Sequence, residues 1–164
     1  MKKVMSKLAL FLSLAACLIT MAIPAWAAEL RNTADKPYHF DLVPVEGFVY
    51  TEGRRKDGPS KIFTRVDSMT DDFIRVAAFS MDTSEGIPIN LTYYGNGLAK
   101  WVRCKKGINY GISSVIYEYH QKLPQTYGDT AALGFQSALV NRSDTISGWW
   151  SVDSSGNHSA PIGP

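Results

Sequence analysis

From Tyr38 to Val152 the chain consists of short runs rich in β-branched and aromatic residues, punctuated by Gly, Pro, Asn and Asp. Short strands with turn signals about every 8–12 residues predict an all-β domain, a single small antiparallel β-sandwich with a small barrel as its alternative. The first strand is expected over Tyr38 to Val43. Gly53 to Pro59 reads as a polar loop, and Lys61–Ser68 and Phe73–Met81 as a hairpin-like pair around Met69–Asp72. The second of that pair is apolar on both faces, as a central strand should be. Ile87, Ile89, Leu91 and Tyr93 share one face, with Pro88 marking an edge or a strand start. Gly95-Asn96-Gly97 is a turn signal, after which Ala99–Lys105 returns. Leu133, Phe135 and Leu139 alternate with Gly134, Gln136 and Ala138. At the end, Ile146, Trp150 and Val152 oppose Thr145, Ser147, Trp149 and Ser151, which puts Trp150 in the core and Trp149 outside. Ile108–Leu123 carries both signals: Ile112, Val115, Ile116, Tyr119 and Leu123 fit helical spacing, whereas its β-rich composition favours a strand.

The sandwich is preceded by a different kind of sequence. Lys2, Lys3 and Lys7 form a basic head, Leu8–Ile23 is apolar, and Ala25-Trp26-Ala27 followed by Ala28 is a small-x-small cleavage pattern. That order describes a secretory signal helix removed after Ala27. The segment is short for a membrane span of about 20 apolar residues, and Ser13, Thr20 and Pro24 weaken it further. Leu14-Ala15-Ala16-Cys17 is a competing lipidation pattern, giving a lipoprotein anchored at Cys17. The apolar stretch Leu18–Ala28 that would then follow the anchor argues against it. The expected organisation is a signal peptide at 1–27, a flexible segment at 28–36, the sandwich at 37–153 and a flexible tail at 154–164, with a secreted location.

Removing 27 of the 164 residues changes what composition implies. The 137 left carry 14 basic and 15 acidic residues, because three lysines depart, so the basic pI of the precursor does not describe the mature chain. Nucleic-acid binding loses its electrostatic support. Cys104 is left without an intramolecular partner, so packing alone must hold the domain. Arg103, Lys105 and Lys106 flank this thiol, yet neither His39 nor His120 is placed to activate it, and a buried inert cysteine is expected.

Chemistry-bearing residues are sparse. His39 with Asp41, and Glu118 with His120, each share a strand face in the predicted scheme, but two ligands do not make a metal site and no cofactor is implied. Glu46, Glu52, Asp71 and Asp72 offer carboxylates; the Asp71–Asp72 pair is explained by turn formation. Ser113–Ser114 and Ser154–Ser155 lack the strand–turn–helix setting of a nucleophile elbow, and His158 falls in the polar tail. No catalytic residue is expected. For surface binding, the basic triplet Arg54, Arg55, Lys56 and the outward-facing Trp149 are the candidates, suited to an anionic wall polymer, a lipid head group or a partner surface.

The series Thr51-Glu52-Gly53-Arg54-Arg55-Lys56, Ser60-Lys61-Ile62-Phe63, Val115-Ile116-Tyr117-Glu118, Ala131-Ala132-Leu133 and Ser147-Gly148-Trp149-Trp150-Ser151-Val152-Asp153-Ser154 resembles a group of short secreted Gram-positive bacterial proteins of unknown function. These share a signal peptide, a β-rich body and a terminal motif like Ser-Gly-x-Trp-Ser-Pro-Asp-Ser; here Val152 replaces the Pro. The resemblance implies secretion and a β fold, and names no substrate. The expectation is a secreted non-enzymatic protein that binds a cell-wall polymer or another secreted or surface protein. A bacteriocin-like antibacterial role and a cell-wall-acting enzyme are the alternatives.

Overall fold

The computed structural model describes residues 33–43, 47–138 and 143–163. The residues of the expected signal peptide and its cleavage pattern, including Ala25, Ala27 and Ala28, and Cys17 lie outside them. So do Glu46 and Leu139. The described chain is all-β, with antiparallel sheets packed together and one short helix, and the expected fold class is observed.

One sheet is formed by β1 (Lys36–Leu42), β10 (Asp144–Ser151), β4 (Ile62–Ser68) and β8 (Asn109–Ile112), in that order. The other is centred on the antiparallel pair β9 (Thr130–Ser137) and β5 (Ile74–Ser80). Its edges are each made of two short pieces. β2 (Val49–Tyr50) and β3 (Arg54–Arg55) line the free side of β9, while β6 (Ile89–Asn90) and β7 (Val102–Cys104) line that of β5.

Two buried threonines sit where those edges break. Leu133 N–H donates to Thr51 Oγ1 at 3.0 Å, and Ala78 N–H donates to Thr92 Oγ1 at 2.6 Å. A hydroxyl thus substitutes for a ladder carbonyl and keeps a buried amide satisfied.

Strand alternation sorts the side chains as expected. Tyr38, Leu42, Ile62, Val66, Ile74, Val76, Leu133, Phe135, Ile146 and Trp150 form the core between the sheets. Trp150 is buried, whereas its neighbour Trp149 is 43% exposed. Tyr94 and Gly97 exchange backbone hydrogen bonds across the expected tight turn, with Gly95 at φ +60°, a conformation that favours glycine. Pro88 immediately precedes the edge strand β6, where its missing N–H is tolerated. Cys104 is fully buried in the core and burial pushes its thiol far above the ordinary value. It should therefore resist a water-soluble aromatic disulfide reagent in the native protein and react stoichiometrically in denaturant; rapid native labelling would show that this side of the core is open.

Several expectations are corrected. β4 and β5 are not a hairpin, because they belong to opposite sheets and the Met69–Asp72 turn carries the chain between them. The buried carboxylate of Asp144 holds that turn, accepting from Thr70 N at 2.8 Å and Asp71 N at 3.4 Å. Ile108–Leu123 is neither all strand nor all helix. It pairs as β8 up to Ile112, then forms α1 (Ile116–Lys122), which buries Ile116. Ile87 and Tyr93 do not share a buried face with Leu91, being 62% and 42% exposed; the regular strand there is only β6.

The residues after Ser154, expected to be a flexible tail, are hydrogen-bonded to the body. Ser159 N–H donates to Asn109 O and Ser159 O accepts from Gly111 N. Ile162 exchanges both backbone bonds with Arg103 at 2.9 and 3.0 Å. The tail thereby covers the free edge of β8 in one sheet and that of β7 in the other, protecting both edges on one side of the sandwich.

Candidate functional site

The residues singled out for surface binding do not come together. Lys56 is not on the surface: its side chain is 1% exposed and paired with Asp153, itself 0% exposed, at 2.8 Å. Its Nζ also donates to the carbonyls of Ser60 at 2.6 Å and Val152 at 3.1 Å. Asp153 is satisfied in turn by Ser60 Oγ at 2.6 Å and Asp57 N at 2.9 Å. This is an internal clamp between the segment after β3 and the end of β10. Arg54 belongs to the edge strand β3, donates to Ala34 O at 2.7 Å and lies over the Trp150 ring. Arg55 is exposed and ion-paired with Asp57 and Asp129. Trp149 stands on the outer face of the other sheet, opposite Pro37 and Arg65.

His39 and Asp41 stay on one exposed face of β1, as expected, and the remaining polar candidates are dispersed. Asp41 accepts from Thr145 Oγ1, Asp71 from Ser137 Oγ, and His120 Nδ1 contacts Tyr127 O at 3.0 Å. Glu118 and His120 are on α1, where a two-residue spacing points them to different sides. Among the described residues there is no cluster of three or more side chains able to hold a metal ion.

Two other places gather functional groups. The first is the outer face of the β9–β5 sheet. Register places Tyr50 beside Gly134 and Gly134 beside Ala77. Phe79, from the next outward position of β5, covers Gly134, where a Cβ would lie 2.6 Å from its ring. Phe48, Tyr50 and Trp101 pack on Phe79 with ring centroids 5.0–5.7 Å apart. Phe48 stays 40% exposed and Trp101 half-buried. Immediately beyond, Gln136, Arg75 and Arg103 form a cross-strand row. The two guanidiniums are direct cross-strand neighbours, and neither has an ion-pair partner among the described residues. Like charges directly opposite each other on a sheet repel. Arg103 is further held over the Phe73 ring at 5.0 Å, and its buried Nε has no hydrogen-bond partner there.

The second is a cavity of about 340 Å³ beside the last residues of β10. Its lining includes Asp35, Phe63, Asn109, Ser154, Ser155 and His158. Ser154 Oγ is hydrogen-bonded to His158 Nε2, and the imidazole packs on Phe63 at 5.0 Å between ring centroids. Burial, helped by Lys61, lowers the proton affinity of His158 against the opposing pull of Asp35. In the sequence Ser154 lacks the elbow setting of a nucleophile and His158 falls in the polar tail, so neither stands out. Their four-residue spacing is the signal that could have joined them, and it is a weak one without the fold.

No helix among the described residues is long and apolar enough to cross a membrane. No family model, no curated protein and no solved structure matches this chain.

Proposed function

We propose that this is a secreted binding protein whose outer β9–β5 face takes an anionic glycopolymer of the cell envelope. The observation that carries this reading is the pair Arg75–Arg103, held opposite each other beside the partly exposed rings of Phe48 and Trp101. Two guanidiniums aligned without a carboxylate suit the phosphates or carboxylates of a polymer, which they can engage bidentately. Phe48 and Trp101 offer ring faces on which sugar units stack, and Gln136 adds an amide within the same row. The nearly balanced net charge of the mature chain makes this a local attraction rather than a property of the whole surface.

The test is sedimentation with insoluble cell walls, intact or stripped of their anionic polymers. The wild type should bind intact walls in a salt-sensitive way, and Arg75→Gln with Arg103→Gln should weaken binding by roughly tenfold or more while leaving the unfolding midpoint nearly unchanged. Trp101→Ala should weaken it as well. Equal binding of the double variant, or of the wild type to stripped walls, would refute the reading.

A further inference from the structure

We propose that Ser154 is a nucleophile with His158 as its general base, forming a site for hydrolysis of small acyl esters in the cavity beside the end of β10. Ser154 Oγ and His158 Nε2 are already hydrogen-bonded, so the hydroxyl and the group that would take its proton need no rearrangement to meet. Asp35 lines the same cavity and acts electrostatically on the imidazole, giving the serine, histidine and carboxylate types of an acyl-transfer site in one place. The Nδ1 atom of His158 is buried without a hydrogen-bond partner among the described residues, as expected of a base whose orienting carboxylate closes on it when charge develops.

Three features hold the pair. Ser154 N–H donates to Ser60 Oγ, which is itself bound to the buried Asp153 carboxylate, so the backbone carrying the nucleophile is tied to the Lys56 clamp. His158 is braced from below by Phe63, and the next residue, Ser159, is hydrogen-bonded to β8. Gly156 lets the intervening turn pass close to the imidazole, since a Cβ there would lie 3.1 Å from His158 Cε1. Asn109 and Ser155 line the cavity and supply N–H and O–H donors for a developing oxyanion.

In the first step Ser154 Oγ bonds to the ester carbonyl carbon while its proton passes to His158 Nε2. The tetrahedral adduct collapses, the C–O bond to the alcohol breaks, and the imidazolium returns the proton to the departing alkoxide. Water then attacks the acyl-serine with the same imidazole as base, releasing the carboxylic acid and restoring Ser154. One ester and one water give one acid and one alcohol, with no other reactant.

The charged groups that bear on the imidazole are Asp35 and Lys61; Asp153 at the cavity wall is neutralised by Lys56. Asp35 is a positioning residue. Because it raises the proton affinity of His158, Asp35→Asn should move the acid limb of the pH–rate profile to lower pH as well as slowing the reaction, a shift that a purely structural role would not produce.

The experiment treats the folded mature chain with phenylmethylsulfonyl fluoride, maps the adduct by peptide mass, and follows p-nitrophenyl acetate hydrolysis. A single adduct on Ser154 is expected, with turnover falling to the buffer rate in Ser154→Ala and by about a hundredfold or more in His158→Gln. Labelling of the wild type decides the matter even if a variant folds poorly. No adduct on Ser154, or turnover unchanged in Ser154→Ala, would overturn the proposal. Neither readout involves Arg75 or Arg103, so wall binding and this site stand or fall separately.

Discussion

Lys56→Met is expected to destabilise the domain by about 3–5 kcal/mol, the cost of leaving one member of a buried ion pair without its partner. Methionine preserves the apolar stem and most of the volume, so the loss isolates the ammonium group. That group donates to Asp153, Ser60 O and Val152 O, and its removal leaves a fully buried carboxylate facing only Asp57 N and Ser60 Oγ. The interaction spans 97 residues of sequence, joining the segment after β3 to the end of β10. Cys104 is the one cysteine among the described residues and is free, so no disulfide among them shares this task. Adding Asp153→Asn to Lys56→Met should recover a substantial part of the loss, because the amide carries no charge, its Oδ1 can still accept from Asp57 N, and its Nδ2 can donate to Ser60 Oγ. Urea unfolding of the single and double variants measures both. A Lys56→Met midpoint within about 1 kcal/mol of wild type would mean that the pair is solvated after all.

This clamp also marks where sequence reasoning reaches its limit. Alternation placed Trp150 inside and Trp149 outside because both follow from a two-residue period along β10. The tight turn at Gly95–Asn96 and the burial of Cys104 were legible for equally local reasons. Lys56 was not. A basic triplet beside a Gly-Pro turn has every local mark of a solvated tip, and its counter-ion, Asp153, reads locally as a turn residue. The structure engages the Asp153 carboxylate with the buried lysine, a partner 97 residues away that no local pattern signals. The Met69–Asp72 turn was legible as a turn, but turn chemistry does not specify whether the next strand pairs with the last one or crosses to the opposite sheet. Ile108–Leu123 carries both a helical spacing and a β-rich composition because it contains the whole of the short strand β8 and then a helix. The candidate site was less legible still. Arg75 and Arg103 meet only through the pairing of β5 with β7, Trp101 joins that face by packing on Phe79, and Ser154 meets His158 only because the polar tail folds back onto β8.

Gly148→Ala is expected to destabilise the domain by about 3 kcal/mol or more, toward the upper end of single-residue effects. The reason is a bulge in β10 between Ser147 and Gly148, which brings Gly148 against Val66 of β4 on one side and Tyr38 of β1 on the other. Tyr38 is buried, and its hydroxyl donates to Arg65 O at 3.1 Å across the glycine. Burial raises the phenol well above its ordinary titration range, so it stays a donor. A Cβ on Gly148 would lie 1.9 Å from Arg65 O and 2.6 Å from Tyr38 Oη. The tyrosine ring could shift, but Arg65 O is main chain in the middle of β4, held between β10 and β8, and has nowhere to go. Pairing Tyr38→Phe with Gly148→Ala should therefore restore little, because it relieves only the second contact. Gly163→Ala is the control: its Cβ would meet nothing closer than 3.5 Å and should change stability by less than about 0.5 kcal/mol. Thermal and urea unfolding of the three variants separate the cases. If Gly148→Ala proved as mild as Gly163→Ala, β1, β10 and β4 would have to meet in a different register from the one described.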